Sequence, residues 1–444
     1  MHFSQAQHFK LYLISILALF TAGFSFALRV DISSDLQTEI FNLIDLLHSA
    51  TMVGQALGFA FLGFAFTLFI CSPFVDVFGM GRMLLGASAS FIIGTACIVF
   101  SSQLAQGHHE YWLICVGMMF NGFGWGLTET AINPLTATLY PHDKTNKLNI
   151  LHAWWPGGIM VGGLTGIAVN RLGFNWQMEL SLVFIPAVVF GILCIGTQFP
   201  KTERAAAGIS MQDMFLELKR RPGFFIWFGC MFLTAASELA PGQWVDMALT
   251  RTVGMQGILL LIYVSGLMFV MRHFSRPLVR VLTPVGLLWC ASLLACVGLL
   301  LLSRANSALT GFMAATVWGI GVCYMWPTML ACASERYPRG GALALGLIGT
   351  AGALSIHFVL PQMGVLFDRT KIATAGGEAA FAALSGAELD QVLRVAAETS
   401  FQVVAIFPAL LILIFGAIWL YDSARGGYRP QTLDATRNPL PKTK

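Results

Sequence analysis

Residues 112–139 read WLICVGMMFNGFGWGLTETAINPLTATL. A helix needs about 20 apolar residues to cross the hydrocarbon core of a bilayer, and this run exceeds that length. It carries one ionisable side chain, Glu129, near its middle. Placing an acid at that depth costs at least about 2.5–3.5 kcal/mol, so such a group ordinarily faces a cavity, a solute path or a proton relay. Trp125, Glu129 and Asn133 recur every four residues. At 100° per residue they fall within an arc of about 80°, so one helix face presents all three. The plainer alternative is an acid neutralised and satisfied within a helix bundle.

Outward from this run the pattern repeats. The chain has 444 residues, of which 56% are hydrophobic and 11% charged, whereas a soluble domain has about 25% charged. Too few charges remain to clothe a water-facing surface. Apolar runs fall at 9–28, 49–71, 83–101, 112–139, 149–170, 178–198, 224–245, 255–273, 281–303, 308–334, 342–366 and 400–421. The expectation is an all-α, multi-pass membrane protein of twelve transmembrane helices. With both termini cytoplasmic, nineteen of the 26 Lys and Arg residues fall inside, Arg272 among them, and the other seven, Arg29 included, fall outside. That split obeys the positive-inside rule. The first run lacks a small-residue cleavage site and is read as a retained helix. The absence of an Asn-x-Ser/Thr sequon favours a bacterial inner membrane over a glycosylated plasma membrane.

The inner loop 199–223, with Lys201, Arg204 and Lys219-Arg220-Arg221, divides the runs six and six. The expected organisation is a bundle over 1–198, a cytoplasmic linker over 199–223, a second bundle over 224–421 and a cytoplasmic tail over 422–444. The halves echo each other. Asn133-Pro134, Tyr140-Pro141, a basic loop and Gly157-Gly158 with Gly162-Gly163 answer to Trp326-Pro327, Tyr337-Pro338, Arg339 and Gly346, Gly349 and Gly352. Such parallel repeats are one way secondary transporters are built. The outer connection 367–399 is amphipathic over 378–396 and is expected to lie on the surface as a short helix.

Several functions find no support. The nine Cys lie in apolar runs without C-x-x-C spacing, which suits small buried groups rather than disulfides or metal ligands. His108-His109-Glu110 reads as a solvated loop rather than a metal site. The basic residues form no aromatic-interleaved nucleic-acid surface. No H-E-x-x-H, G-x-S-x-G, phosphate loop or dinucleotide fingerprint occurs, so neither an enzyme nor an ATP-driven pump is indicated, and no cofactor or metal is expected.

After the second run the chain reads Ser72-Pro73-Phe74-Val75-Asp76-Val77-Phe78-Gly79-Met80-Gly81-Arg82. This turn resembles the G-x-x-x-D-R-x-G-R-R loop of the major facilitator superfamily. Asp76, Gly79 and Arg82 carry the likeness, while Ser72 and Val77 depart from it. The resemblance implies two six-helix bundles that move against each other, with Asp76 and Arg82 in gating. Glu129-Thr130-Ala131-Ile132-Asn133-Pro134, followed by Lys147-Leu148-Asn149-Ile150-Leu151-His152-Ala153-Trp154-Trp155, is similar to the fucose:proton symporter family. That likeness implies that Glu129 is the protonatable acid and that His152 takes the place of a sugar-contacting Gln. Trp155 stands where fucose carriers have Asn, so the solute differs or is held differently. Asp31 is either the family's first-span acid displaced by one residue or a solvated loop charge.

In the seventh run Glu238 precedes Pro241-Gly242-Gln243-Trp244, a break of the kind found at transporter binding sites. Gln243 can bond a hydroxyl, Trp244 can stack on a sugar face, and Glu238 can bind a cation or a hydroxyl; a plain kink with a paired acid is the alternative. Trp318, Tyr324, Trp326, His357 and Gln362 are further candidates, although aromatics in spans commonly serve packing. The expected function is a monomeric secondary transporter that carries a small polar solute, a sugar above all, by proton symport. A sodium-coupled sugar carrier, a drug or metabolite efflux antiporter, hinted at by Trp155-Pro156-Gly157, and a non-transporting sensor are the competing expectations.

Overall fold

In hydrocarbon no water satisfies backbone N–H and C=O groups, so an apolar run crosses as a helix that closes its own hydrogen bonds. A computed structural model describes residues 4–140, 144–202, 205, 208, 210–249 and 258–429, and among them every regular element is helical.

Twelve spans follow in order: α1 Gln5–Asp31, α2 Ser49–Cys71, α3 Met80–Val99, α4 His108–Leu139, α5 Lys144–Arg171, α6 Trp176–Cys194, α7 Phe224–Leu249, α8 Ile258–Arg272, α9 Ser275–Leu302, α10 Ala308–Arg336, α11 Gly341–Ala375 and α12 Ile406–Ala424. Among the described residues nine of these are long and apolar enough to cross a membrane by composition alone. The other three are α4 and α5, at 32 and 28 residues, and α8, described over 15. α10 is broken into Ala308–Val322 and Met325–Arg336. The amphipathic connection forms Glu378–Ala383 and Gly386–Val404. The second of these is no free surface helix: Val392, Ala396, Ala397 and Phe401 are buried, and it packs on α7, α9 and α11 before turning at Ala405 into α12.

The spans form two bundles of six. In the first, α1 packs on α4, α5 and α6, and α4 on α2 and α3. In the second, α7 packs on α11 and α12, and α10 on α8 and α9. The bundles meet along two seams, α2 against α11 and α5 against α8. The α2–α11 seam is tight at both ends. A side chain on Gly54 would place its Cβ 2.5 Å from the Leu360 carbonyl oxygen, and one on Gly346 would place it 2.2 Å from Ser72 Oγ. At the Gly54 end, Thr51 donates from its backbone N and from Oγ1 to Asp368 Oδ2 at 2.9 and 2.6 Å, and Lys371 Nζ holds Asp368 Oδ1 at 2.6 Å.

The described residues of the segment 199–223 lie at the end of the bundles where α2 finishes and α3 begins, called here the linker side. Gly79 turns that loop with φ of +83°, a conformation that favours glycine. Asp76 accepts from the Thr202 backbone N at 3.1 Å and from Thr202 Oγ1 at 2.8 Å, so it ties the α2–α3 loop to the start of the linker, while Arg82 is exposed. Within the linker, Met211–Arg220 is a helix capped by Ser210 and Asp213. Arg221, just after it, donates to the Arg336 carbonyl at 2.6 Å, which docks the linker on the end of α10.

Candidate functional site

Where the bundles face each other, Trp125 and Glu129 of α4 and His152 and Trp155 of α5 meet Glu238 and Leu239 of α7, Arg272 of α8 and Trp326 of α10. They line a narrow space between the bundles. A second narrow space shares Trp155, Glu238 and Leu239 and is otherwise mostly apolar, walled by Phe26, Ile159, Leu261, Val264, Met268, Trp318 and Val322.

The four-residue spacing does place Trp125, Glu129 and Asn133 on one face of α4. Asn133 Nδ2 donates to Glu129 Oε2 at 2.8 Å, and His152 Nε2 lies 2.9 Å from Asn133 Oδ1. An amide oxygen only accepts, so this orientation assigns the proton on that imidazole nitrogen to Nε2. The same nitrogen stands 3.9 Å from Glu129 Oε2. Carboxylate, amide and imidazole thus form one chain, in which Glu129 and His152 are buried at the cavity wall and Asn133, half-buried, joins them. Across the space, Glu238 Oε1 faces Arg272 Nη2 at 3.4 Å, with both side chains under 5% exposed.

The aromatic part is a stack. Trp125 and Trp155 lie with centroids 5.7 Å apart and planes 18° from parallel, and Phe64 stacks on Trp125 at 4.1 Å. Among the described residues, three buried polar atoms of the residues on this wall have no hydrogen-bond partner: Trp125 Nε1, Trp155 Nε1 and Glu238 Oε2. A buried donor or acceptor left unmade costs about 1–3 kcal/mol, so the wall is incomplete by two donors and one acceptor.

The structure distributes the other expected residues more widely. Trp318 lines the apolar space and donates from Nε1 to the Ser237 carbonyl at 3.1 Å. Trp244 is fully buried and meets Phe367 edge-on at 6.2 Å, away from the cavity wall. Tyr324 sits in the break of α10 and donates to the Met271 carbonyl at 2.7 Å. His357 lies on the α2–α11 seam, its Nδ1 3.0 Å from the Gly58 carbonyl, and Gln362 is exposed. The Gln243 side chain lies outside the described residues. Asp31 is half-buried and crowds Gly166 of α5 together with the buried Glu179 carboxylate, so it is not a solvated loop charge.

Two basic residues are displaced from their expected place. Arg29, counted as an outer loop charge, is a buried residue of α1 that donates from Nε to the Ser25 carbonyl at 3.1 Å. Arg272, counted as an inner loop charge, is the cation of the cavity. Both sit at the end of an apolar run, where sequence reads a basic residue as the start of the loop. Only partners on other helices show that they turn inward.

A family model described as the Major Facilitator Superfamily matches residues 11–359. Myo-inositol transporter 1 of Saccharomyces cerevisiae is 25% identical over 186 residues, 41% of this chain and 29% of that protein, so the match spans under a third of that relative's length. Among solved structures, the xylose transporter of E. coli in a partially occluded inward-open conformation has a TM-score of 0.72 at 14% identity, with 92% of this chain and 99% of that one covered. The E. coli fucose:proton symporter has a TM-score of 0.55 at 15% identity over 90% and 99% of the two chains. At such identities the likeness shows the fold.

Proposed function

The chain belongs to the major facilitator superfamily, and from that premise we propose that it carries a monosaccharide-like polyol across a bacterial inner membrane by proton symport. It is a transporter and not an enzyme. The observation that carries the solute reading is the incomplete cavity wall: two indole N–H groups and one carboxylate oxygen, buried without partners beside stacked tryptophans. A sugar or cyclitol offers hydroxyls to all three and a C–H face to the aromatic rings. That the relatives include transporters named for inositol, xylose and fucose supports the same class.

In this reading the two bundles, 1–198 and 224–421, rock around the cavity as a monomer, with the linker 199–223, both termini and the Asp76 loop on the cytoplasmic side. Glu129 takes up and releases the proton, while Asn133 and His152 hold its carboxyl in place and relay the change to the solute. Coupling follows because charge on Glu129 alters the relative stability of the two orientations, which a group that binds both alike cannot do. A sodium ion at Glu238 is disfavoured by the Arg272 guanidinium on the same carboxylate. An efflux carrier of bulky apolar compounds is disfavoured by the buried polar and charged side chains on the wall, Glu129, His152, Glu238 and Arg272.

The direct test is thermal unfolding of the purified protein against a panel of sugars, cyclitols, nucleosides and apolar drugs. A true ligand at a hundred times its Kd stabilises by about 2.7 kcal/mol. Sugars or cyclitols are expected to raise the midpoint. A panel in which only apolar compounds do so refutes the reading.

A further inference from the structure

Proline lacks the N–H that would bond the carbonyl four residues earlier, and its ring crowds that carbonyl. Pro156 within α5 therefore frees the carbonyl of His152, and Pro327, early in the second segment of α10, frees that of Cys323. The two carbonyls belong to opposite bundles. In the structure both accept from one side chain: Arg272 Nη1 donates to His152 O at 3.0 Å, and Arg272 Nε donates to Cys323 O at 2.9 Å. The remaining edge of the guanidinium, Nη2, faces Glu238 Oε1 at 3.4 Å. A planar fork of five donors can serve three directions at once, and a lysine ammonium on a single stem cannot match it.

We propose that Arg272 is the clasp that holds the linker side of the cavity shut, with Glu238 as the residue that positions it. The bonds to Cys323 and Glu238 stay within the second bundle. The bond to His152 crosses to the first, at a point on α5 nearer the linker than Trp155 is. Opening of α5 from α8 on that side must break it, whereas opening on the far side need not. The clasp also borders the cavity, because Glu238, whose Oε1 orients Arg272, is itself one of the residues that line it. A hydroxyl bound there draws on the same group that aims the guanidinium, so occupancy and closure share one carboxylate. This last step rests on the proposed solute reading; the clasp itself does not.

Hydrogen–deuterium exchange of the purified full-length protein, without solute, tests the clasp separately from the solute. Arg272→Gln is expected to speed exchange on the order of tenfold, the least that losing one hydrogen bond from a charged donor implies. The change should be confined to the linker-side halves of α5, α8 and α10. Arg272→Lys, which keeps the charge, should show the same pattern at smaller amplitude, and Glu238→Gln should show it at the same peptides. Exchange in Arg272→Gln that matches wild type, or that rises evenly through α3, α9 and α12 as well, overturns the proposal. A wild-type pattern in Glu238→Gln alone overturns the role given to Glu238.

Discussion

Replacing Asn133 with alanine takes away the amide that joins Glu129 to His152. The carboxylate loses a donor at 2.8 Å and the imidazole loses an acceptor at 2.9 Å. A hydrogen bond to a charged partner contributes about 1.5–3 kcal/mol and a neutral one about 1 kcal/mol, so the gross loss is about 2.5–4 kcal/mol. Part of it is recovered. His152 Nε2 already stands 3.9 Å from Glu129 Oε2 with only the amide beside them, and a small ring rotation brings them into direct contact. Regaining one charged hydrogen bond leaves a net cost of about 1 kcal/mol. For a unit of about 200 residues, each kcal/mol lowers the unfolding midpoint by about 2–4 °C, so a fall of about 2–4 °C is expected in differential scanning of the purified protein. Asn133→Asp keeps the acceptor but sets a second acid against Glu129, and it should fall further than Asn133→Ala. If Asn133→Ala unfolds within 1 °C of wild type (a shift of under about 0.5 kcal/mol) and Asn133→Asp is no worse, the network does not hold the site together.

Three further outcomes follow from the same geometry. Trp155→Phe keeps an aromatic ring but removes an unpartnered N–H; titration calorimetry should show solute affinity weakened about fivefold or more, the value of one lost hydrogen bond, and an unchanged affinity would mean that no solute oxygen reaches that donor. Gly54→Val drives side-chain atoms into the Leu360 carbonyl and blocks closure of the α2–α11 seam, so the variant should bind solute yet fail to exchange it in proteoliposomes; normal exchange would show that the seam has slack. In the linker, hydrogen bonds from Ser210 hold the Asp213 carboxyl below its ordinary range. The cap is therefore fully present above that ordinary range and is lost as pH falls through the lowered value. Ser210→Ala should weaken the Met211–Arg220 helix by up to about 1 kcal/mol and move the Asp213 titration upward in carbon-detected NMR, and an unmoved titration would remove Ser210 as its cause.

The spans were readable in sequence because lipid leaves an apolar run one stable conformation. The α4 face was readable because Trp125, Glu129 and Asn133 sit on a single helix, whose period fixes their relative directions. Azimuth between helices is a different matter. Trp244, Tyr324 and His357 have the residue types of a sugar site, yet each turns to a neighbouring helix away from the cavity. Arg272 has the residue type and position of a loop anchor, yet it turns in. A signal for it was present: Pro156 and Pro327 announce two carbonyls in need of a donor, and a buried arginine is the side chain able to serve both. Trp326, a minor candidate by sequence, reaches the cavity because α10 breaks just before it at Cys323–Tyr324.

The central claim is that Glu129 couples a proton to solute movement. Uptake of a stabilising sugar or cyclitol into proteoliposomes under an imposed pH gradient, for wild type beside Glu129→Gln, measures it most directly. Wild type is expected to accumulate solute against its gradient, while Glu129→Gln exchanges solute across the membrane without accumulating it. Full proton-driven accumulation by Glu129→Gln would contradict the account.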